Sequence, residues 1–456
     1  MKHIYHIMLG LLLTLTVSSC KLGKHYTRPD LDLPEKMPAG SPDSTSISKL
    51  PWQQIYTDTI LQGLIRKTLE HNKDMLIAAA RVKELAAMKR ISFANIFPKI
   101  GTEATIEREG ETLNGTTRTN DSEFSMKVAA SWELDLWGNL RWQHDKSLAE
   151  FMGSIENQRA VKMSLIAEMA LNYFHLVALD NELNIVKQTV KARHESLHLA
   201  RIRFEGGLTA ETAFRQAQVE LARTMTLVPE LERKIILKEN EIAFLIGEYP
   251  HEILRGRLTE RSSFNDTLPV GLPSTLLERR PDVRMAEQSL IAANAQVGVA
   301  FTNLFPKISL TASFGTESKE LSDFLKSPLY SLGAGIIQPV FAMGKNRAML
   351  KAKKAALEQA THTYEKTVLS AFKEAYNAIA DFNKTQEVYD SRYRLEKASK
   401  ITLDLAQLQY INGVIGYMDL LDAQRGYLDA QIGLSNAIRD KQVTMVLLYK
   451  ALGGGW

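Results

Sequence analysis

Two copies of one helix-to-strand junction constrain this chain more than any other feature: Asn95 to Ile106, NIFPKIGTEATI, and Asn303 to Phe314, NLFPKISLTASF. In each, a helical pattern stops at Phe-Pro-Lys and an alternating pattern takes over, because proline pushes the residue before it out of the helical region. Pro98 and Pro306 therefore mark two equivalent corners. The copies stand 208 positions apart, Phe97 against Phe305 and Asp74 against Asp282. Beyond the strands the offset is 206, Gly138 against Gly344 and Gly207 against Gly413. The chain is a tandem duplication, and a repeat of that length fixes the architecture before any single residue does.

The segments after the corners alternate. Strands are expected at about Ile100 to Arg108 and Phe124 to Leu136, with polar GETLNGTTRTNDS between them. In the second, Phe124, Met126, Val128, Ala130, Trp132, Leu134 and Leu136 share one face, while Ser125, Lys127, Ser131, Glu133 and Asp135 share the other. Ile308, Leu310, Ala312 and Phe314, then Tyr330, Leu332, Ala334 and Ile336, repeat the pattern. About ten alternating residues with a polar loop at one end is the signature of a transmembrane β-strand. A soluble sandwich sheet alternates in the same way, but four strands of one pattern behind a secretion signal favour the membrane. Four strands cannot close a barrel, and an open sheet edge in lipid costs several kcal/mol per unpaired backbone group. Eight strands would fill their own interior, so a conducting barrel needs at least three copies and twelve strands.

After each strand pair comes a long helical pattern, about Trp142 to Glu205 and Asn346 to Ile411, each roughly 95 to 100 Å at 1.5 Å per residue. Shorter helices, Asp74 to Phe97 with Ala210 to Ile246 and Asp282 to Leu304 with Gly416 to Leu452, would stack end to end as partners for the long ones. Pro229 is expected to start a fresh turn or kink its helix.

Residues 1–20 read as a secretion signal, with Lys2 before an apolar run too short to span a bilayer. It ends Val17-Ser18-Ser19-Cys20, a lipoprotein processing pattern in which Cys20, the only cysteine, becomes the lipid anchor. An ordinary signal with a buried cysteine is the alternative. Acylation would leave no thiol for a disulfide, metal or catalysis. Residues 21–57, rich in proline and polar side chains, read as an extended tether. The first repeat then covers 58–247, a linker 248–273, and the second repeat 274–456. The net charge of +4 is spread along 456 residues and makes no case for nucleic acid.

The run Leu277-Glu278-Arg279-Arg280-Pro281-Asp282-Val283-Arg284, then Ala286-Glu287-Gln288 and Ala292-Ala293-Asn294-Ala295, then Phe305-Pro306-Lys307-Ile308-Ser309-Leu310 resembles the outer-membrane factors, or TolC-like channels. Gln409-Tyr410-Ile411-Asn412-Gly413 leading to Leu420-Leu421-Asp422-Ala423-Gln424 matches as well. Within that family the resemblance is to the lipoprotein branch serving resistance-nodulation-division (RND) efflux pumps. It implies an α+β membrane protein whose duplicated helical hairpins form a periplasmic α-barrel below a 12-stranded trimeric β-barrel, four strands per chain. It also implies a homotrimer in outer-membrane lipid, opened by a periplasmic adaptor (membrane fusion) protein bound to an inner-membrane RND pump, with no cofactor. Glu278 to Asp282 has a structural reason too: proline suits the first helical turn and Asp282 complements the helix dipole.

In such channels the helix tips close the pore. The long helices end at glycine turns, Gly206-Gly207-Leu208 and Asn412-Gly413. In relatives the second turn often carries an acidic ring; here Ile415 stands about there, with Asp419 a turn on and Asp422 nearer the helix body. An apolar ring backed by carboxylates, closing by dewetting, is expected; Ile415 packing between helices is the competing expectation.

No phosphate-binding GxxxxGK[ST] occurs, so transport energy must come from a partner. His194-Glu195-Ser196-Leu197-His198 matches the HExxH zinc-peptidase pattern, with Glu220 a conceivable third ligand. It lies inside a long helix, and its duplicate positions are Lys400, Ile401 and Asp404, so no metal site and no enzyme are expected. The expected function is a passive exit duct for small amphiphilic compounds. A duct for metal ions or secreted polypeptides is the runner-up, and a structural surface lipoprotein the alternative of another class, which the amphipathic strands disfavour.

Overall fold

The computed structural model describes residues 21–34, 47–113, 116–258, 273–320, 323, 326–338 and 343–456. The signal segment with Cys20, residues 35–46 of the tether and residues 259–272 of the linker lie outside them. The helices are α1 Trp52–Ile55, α2 Thr59–His71, α3 Lys73–Ala94, α4 Asn139–Glu205, α5 Glu211–Leu245, α6 Pro273–Arg279, α7 Pro281–Thr302, α8 Lys345–Ile411 and α9 Tyr417–Ala451. The strands are β1 Lys99–Leu113, β2 Thr116–Leu134, β3 Lys307–Ser318 and β4 Pro328–Ile337. Helices α4 and α8 each run 67 residues without a break, about 100 Å at 1.5 Å per residue. The chain divides into two compact units, one holding the sheet (through Leu31, Arg81–Ile155 and Met285–Lys366), the other Asp32–Ala80, Glu156–Arg284 and Thr367–Trp456.

In the first unit the strands form one antiparallel sheet in the order β1-β2-β3-β4. The β2–β3 ladder joins the two repeats. Up to the register shift after Glu111, even-numbered residues pair with even ones, through Ile100↔Ala130, Ala130↔Ala312 and Ala312↔Leu332, so the four apolar faces fuse into one. Among the described residues that face stands open: Ile100, Ile106, Tyr330 and Leu332 are 75 to 85% exposed. The odd-numbered face carries Lys127–Glu103 and Lys307–Glu133 ion pairs and a Ser313–Ser331 hydrogen bond at 2.7 Å. The polar run between β1 and β2, expected as a loop, is mostly strand, since the ladder continues to Leu113↔Thr116. Beyond Phe124, where β3 ends, this ribbon has only two strands, so no buried face imposes the alternation that reveals strands in sequence.

The corners are locked by tryptophans. Trp132 donates its indole N–H to the Ile96 carbonyl at 2.9 Å, and Trp137 donates to the Pro306 carbonyl at 2.8 Å while stacking on Phe305. Both proline junctions thus end under an indole. Asn139, at the start of α4, donates to Thr302 and Asn303 at the end of α7. The backbones of α4 and α7 come close because position 298 is glycine: a Cβ there would fall inside the ring of buried Trp142.

Of the segment expected as an extended tether, residues 21–34 are extended but docked, whereas its far end is a 3-10 turn at Ile47–Lys49 followed by α1, with Ile47, Trp52 and Ile55 buried. Leu22 N–H donates to the Trp137 carbonyl at 3.1 Å, Trp142 donates back to the Leu22 carbonyl at 2.7 Å, and Lys21 pairs with Asp145. Arg28 grips Glu287 with two nitrogens at 2.7 Å, and Tyr26 adds a third bond.

In the second unit the repeat shows again at helix ends. The Asn72 amide donates to the Leu245 carbonyl at the end of α5, and Arg280, its duplicate, donates to Ala451 at the end of α9. Gly247 and Gly453 follow with positive φ of 74° and 80° against His71 and Arg279. These joints set the end of one short helix on the start of the next, and they give Arg280 its place in the Glu278–Asp282 run. It is buried, and it also bonds Asp282 and Glu374. Helix α5 runs through exposed Pro229 without a break. The sequence reading also omitted α2, whose start is capped by Asp58 accepting from Ile60 and Leu61.

Gly298→Ala should destabilise the folded protein by about 1–3 kcal/mol through overpacking against Trp142. Thermal unfolding should show it, and adding Trp142→Leu should restore part of the loss.

Candidate functional site

The tip of each long helix closes with the same backbone motif. In the first, Gly207 N–H donates to Phe204 O at 2.9 Å and Leu208 N–H to Arg203 O at 2.8 Å; in the second, Gly413 N–H donates to Tyr410 O at 3.1 Å and Val414 N–H to Gln409 O at 2.9 Å. These are Schellman caps, which need a left-handed residue, and Gly207 and Gly413 supply it at φ 71° and 74°. Gly206 completes the first turn by donating to Ile202 O. Leu208 and Val414, at duplicate positions, are both about 70% exposed.

The two tips are tied by a bond that the duplication does not contain. Arg203 at the end of α4 donates to the carbonyls of Tyr410 and Ile411 at 3.1 and 3.3 Å, where α8 ends and bears partial negative charge. Its guanidinium also lies 4.9 Å from the centre of the Tyr410 ring. Gln409 takes its place in the other copy. Behind the tie, Ala200, Ala217, Tyr410, Tyr417, Leu420 and Leu421 form a buried cluster, against which half-buried Ile415 packs.

Of the expected gate carboxylates, Asp419 is exposed and accepts the Gly416 N–H at 3.0 Å, capping the start of α9. Asp422 is exposed, and its charge acts on Arg425. In one protomer, then, Ile415 packs against a buried cluster and Asp419 has a local structural task.

A second pin lies one step along the helices. Glu220 of α5, 3% exposed, accepts from Arg193 of α4 at 2.7 Å, from Arg425 of α9, and from Arg223 at 3.4 Å. Burial alone would raise its carboxyl; hydrogen bonds and charge from Arg425 and Arg193 overcome that and hold it below the usual carboxylate range. Glu220 is therefore an arginine partner where sequence allowed a zinc ligand, while His194, Glu195 and His198 stand exposed on α4. Among the described residues no three His, Cys, Asp or Glu side chains gather as a metal site. Sequence reasoning missed both the Arg203 tie and the Glu220 pin. A signal was present: Arg203, Arg193, Glu220 and Arg425 fall opposite Gln409, Ser399, Gly426 and Val219 in the other copy.

With this geometry, the relatives can be placed. A family model described as outer membrane efflux protein matches residues 64–248 and 272–454, one match per repeat. The chain belongs to the outer membrane efflux protein family. It is 32% identical over 456 residues to the solvent efflux pump outer membrane protein SrpC of Pseudomonas putida, covering 97% of each chain. It is 28% identical over 461 residues to the cation efflux system protein CusC of Escherichia coli O6:H1, covering 98% of each. The open-state crystal structure of the Neisseria gonorrhoeae MtrE outer membrane channel superposes with a TM-score of 0.88 at 30% identity, over 96% of this chain and 98% of that one. Efflux through an outer-membrane channel is thus the general function of this fold.

Glu220→Gln should destabilise the protein by about 3 kcal/mol, because Arg193 stays buried without its counter-charge. A carboxyl held below its unfolded value stabilises fully above about pH 4.3 and loses that contribution as pH falls through the folded value. Melting of the native protein between pH 7.5 and 5.5 should therefore be unaffected by this residue, and the difference between native and variant should shrink only in stronger acid.

Proposed function

We propose that three copies close their sheets into a 12-stranded barrel in the outer membrane, with β4 of each protomer pairing with β1 of the next, and that the long helices continue it as a periplasmic duct. The observation that carries this is the sheet itself: one in-register apolar face bare of protein, one polar face, and two outer edges without a partner strand among the described residues. Lipid outside, water inside and edge-to-edge closure satisfy all three at once. No helix of the described residues is long and apolar enough to cross a membrane.

The duct is passive. A periplasmic adaptor and an inner-membrane RND pump supply selection and energy, and small amphiphilic compounds are the cargo, the reading that likeness to SrpC supports. Metal ions are the second reading, carried by the likeness to CusC over 98% of both chains. The duct is gated at the tips, where three copies of Ile415 form the narrowest ring, backed by Asp419 and Asp422. Cys20 carries lipid, and the docked strap from Lys21 to Arg28 holds that anchor to the first unit.

The purified protein should run as a trimer and conduct ions across a planar bilayer; a monomer without conductance would sink the duct. Ile415→Gly should raise the conductance of the closed trimer in the absence of adaptor, whereas an unchanged value would remove Ile415 from the gate. Cys20→Ala with an intact signal should leave the protein in the outer membrane, since the barrel is itself embedded; folded, soluble protein in the periplasm would contradict the barrel.

A further inference from the structure

The two repeats differ at the corner where each hairpin becomes a long helix. In the first, Asp135 accepts from the Leu140 and Arg141 N–H groups and from the Arg141 side chain at about 3 Å, and Asp145 pairs with Lys21 of the strap. At the offset of 206, these two acids become Phe341, outside the described residues, and Lys351. Asn139, Ser147 and Leu148 become Lys345, Lys353 and Lys354, while Arg141 is kept as Arg347. The first ten residues of α8, KNRAMLKAKK, hold five cations and no acid. Lys353 turns inward and donates to Gln296 at 2.8 Å. Arg347, Lys351 and Lys354, spaced four and three apart, share another face of the helix. These three and Lys345 are exposed and form no ion pair with a described residue.

On the lipid-anchored, lipid-facing reading given above, two features put the membrane surface at this turn. Lys21, next to the anchor residue, lies against Gly138, and its ammonium sits 3.5 Å from the centre of the Trp142 ring in the first turn of α4. Acyl chains on residue 20 would therefore enter the bilayer beside the start of α4. The bare apolar face of the sheet ends at the same corner, with Ile336 of β4 nine residues before Lys345. By the duplication, the start of α8 is the equivalent of that turn.

We propose that Lys345, Arg347, Lys351 and Lys354 form a binding site for the phosphate headgroups of anionic phospholipid in the periplasmic leaflet of the outer membrane. The site rests on the lipid-facing reading of the sheet given above. The first repeat reaches this leaflet through its own strap and cancels its charge internally; the second, with no such strap among the described residues, leaves its charge for the lipid. Each cation near an anionic surface contributes roughly fivefold in affinity, and salt screens the effect.

Purified protein in zwitterionic detergent, titrated separately with short-chain phosphatidylglycerol and phosphatidylcholine and read by native mass spectrometry, tests this. The native protein should hold phosphatidylglycerol at least about tenfold in preference to phosphatidylcholine, a margin from three or four such contacts. The preference should vanish in Arg347→Gln/Lys351→Gln/Lys354→Gln, weaken in Lys351→Asp, which copies the first repeat, and persist in Lys366→Gln/Lys373→Gln/Lys400→Gln further along α8. A triple variant that keeps the full preference overturns the site, as does inorganic phosphate displacing the lipid as well as phosphatidylglycerol does, which would mean a free-anion site. Planar-bilayer conductance separates the two levels: a conducting native protein with no lipid preference overturns this site alone, and a non-conducting one overturns the channel beneath it.

Discussion

On the barrel reading proposed above, backbone hydrogen bonding in a medium without water is the constraint on which the rest of the protein depends. A strand in lipid must find a partner on both sides, and four strands in the order β1-β2-β3-β4 leave two edges open. Register then matters as much as closure, because a slip of one residue would turn Tyr330 and Leu332 toward the polar side and Glu103 and Lys127 toward the apolar one. The β2–β3 ladder pins that register across the two repeats. The indoles of Trp132 and Trp137, bonded to the carbonyls of Ile96 and Pro306, fix where each helix hands over to its strand.

Much of this was legible in the sequence, for physical reasons that differ by element. The Phe-Pro-Lys corners and the long helices declared themselves because proline and unbroken helical spacing act locally. The expected bounds of α4 and α8 fall within three residues of the structure. The outer parts of β1 and β2 were not legible, since beyond Phe124 the ribbon has no buried face to impose alternation. Helix α2 carries a readable pattern, Leu61, Leu64 and Ile65 behind an Asp58 cap, but it precedes the duplicated corner that drew the eye. The docked strap depends on contacts more than 100 residues away in sequence, such as Lys21 with Asp145 and Arg28 with Glu287. No local rule could supply those.

The tips show the same division. Both glycine turns were legible because a Schellman cap demands a left-handed residue at one position. The arginines that tie the tips were not, because their partners are a carbonyl pair and a glutamate brought near only by folding. Asp419 illustrates the hazard of reading a charge by its place along a pore: its carboxylate holds the N–H of Gly416, a task that any helix start can set.

Duplication gives two ways to read a residue, and they point to different kinds of role. Where the copies agree, as at Gly207 and Gly413, at Gly247 and Gly453, or in the paired joints of Asn72 with Leu245 and Arg280 with Ala451, the shared feature is backbone geometry that both halves must have to fold. Where they disagree in charge, the difference cannot be a requirement of the common fold, because the other half folds without it. Arg203 against Gln409, Glu220 against Gly426 and Asp145 against Lys351 are such places. The first two tie the helical hairpins of one chain to each other near their glycine turns; the third exchanges a contact with the strap in one repeat for the proposed lipid site in the other. A duplicated chain can thus keep a symmetric scaffold and give separate tasks to positions that its two copies do not share.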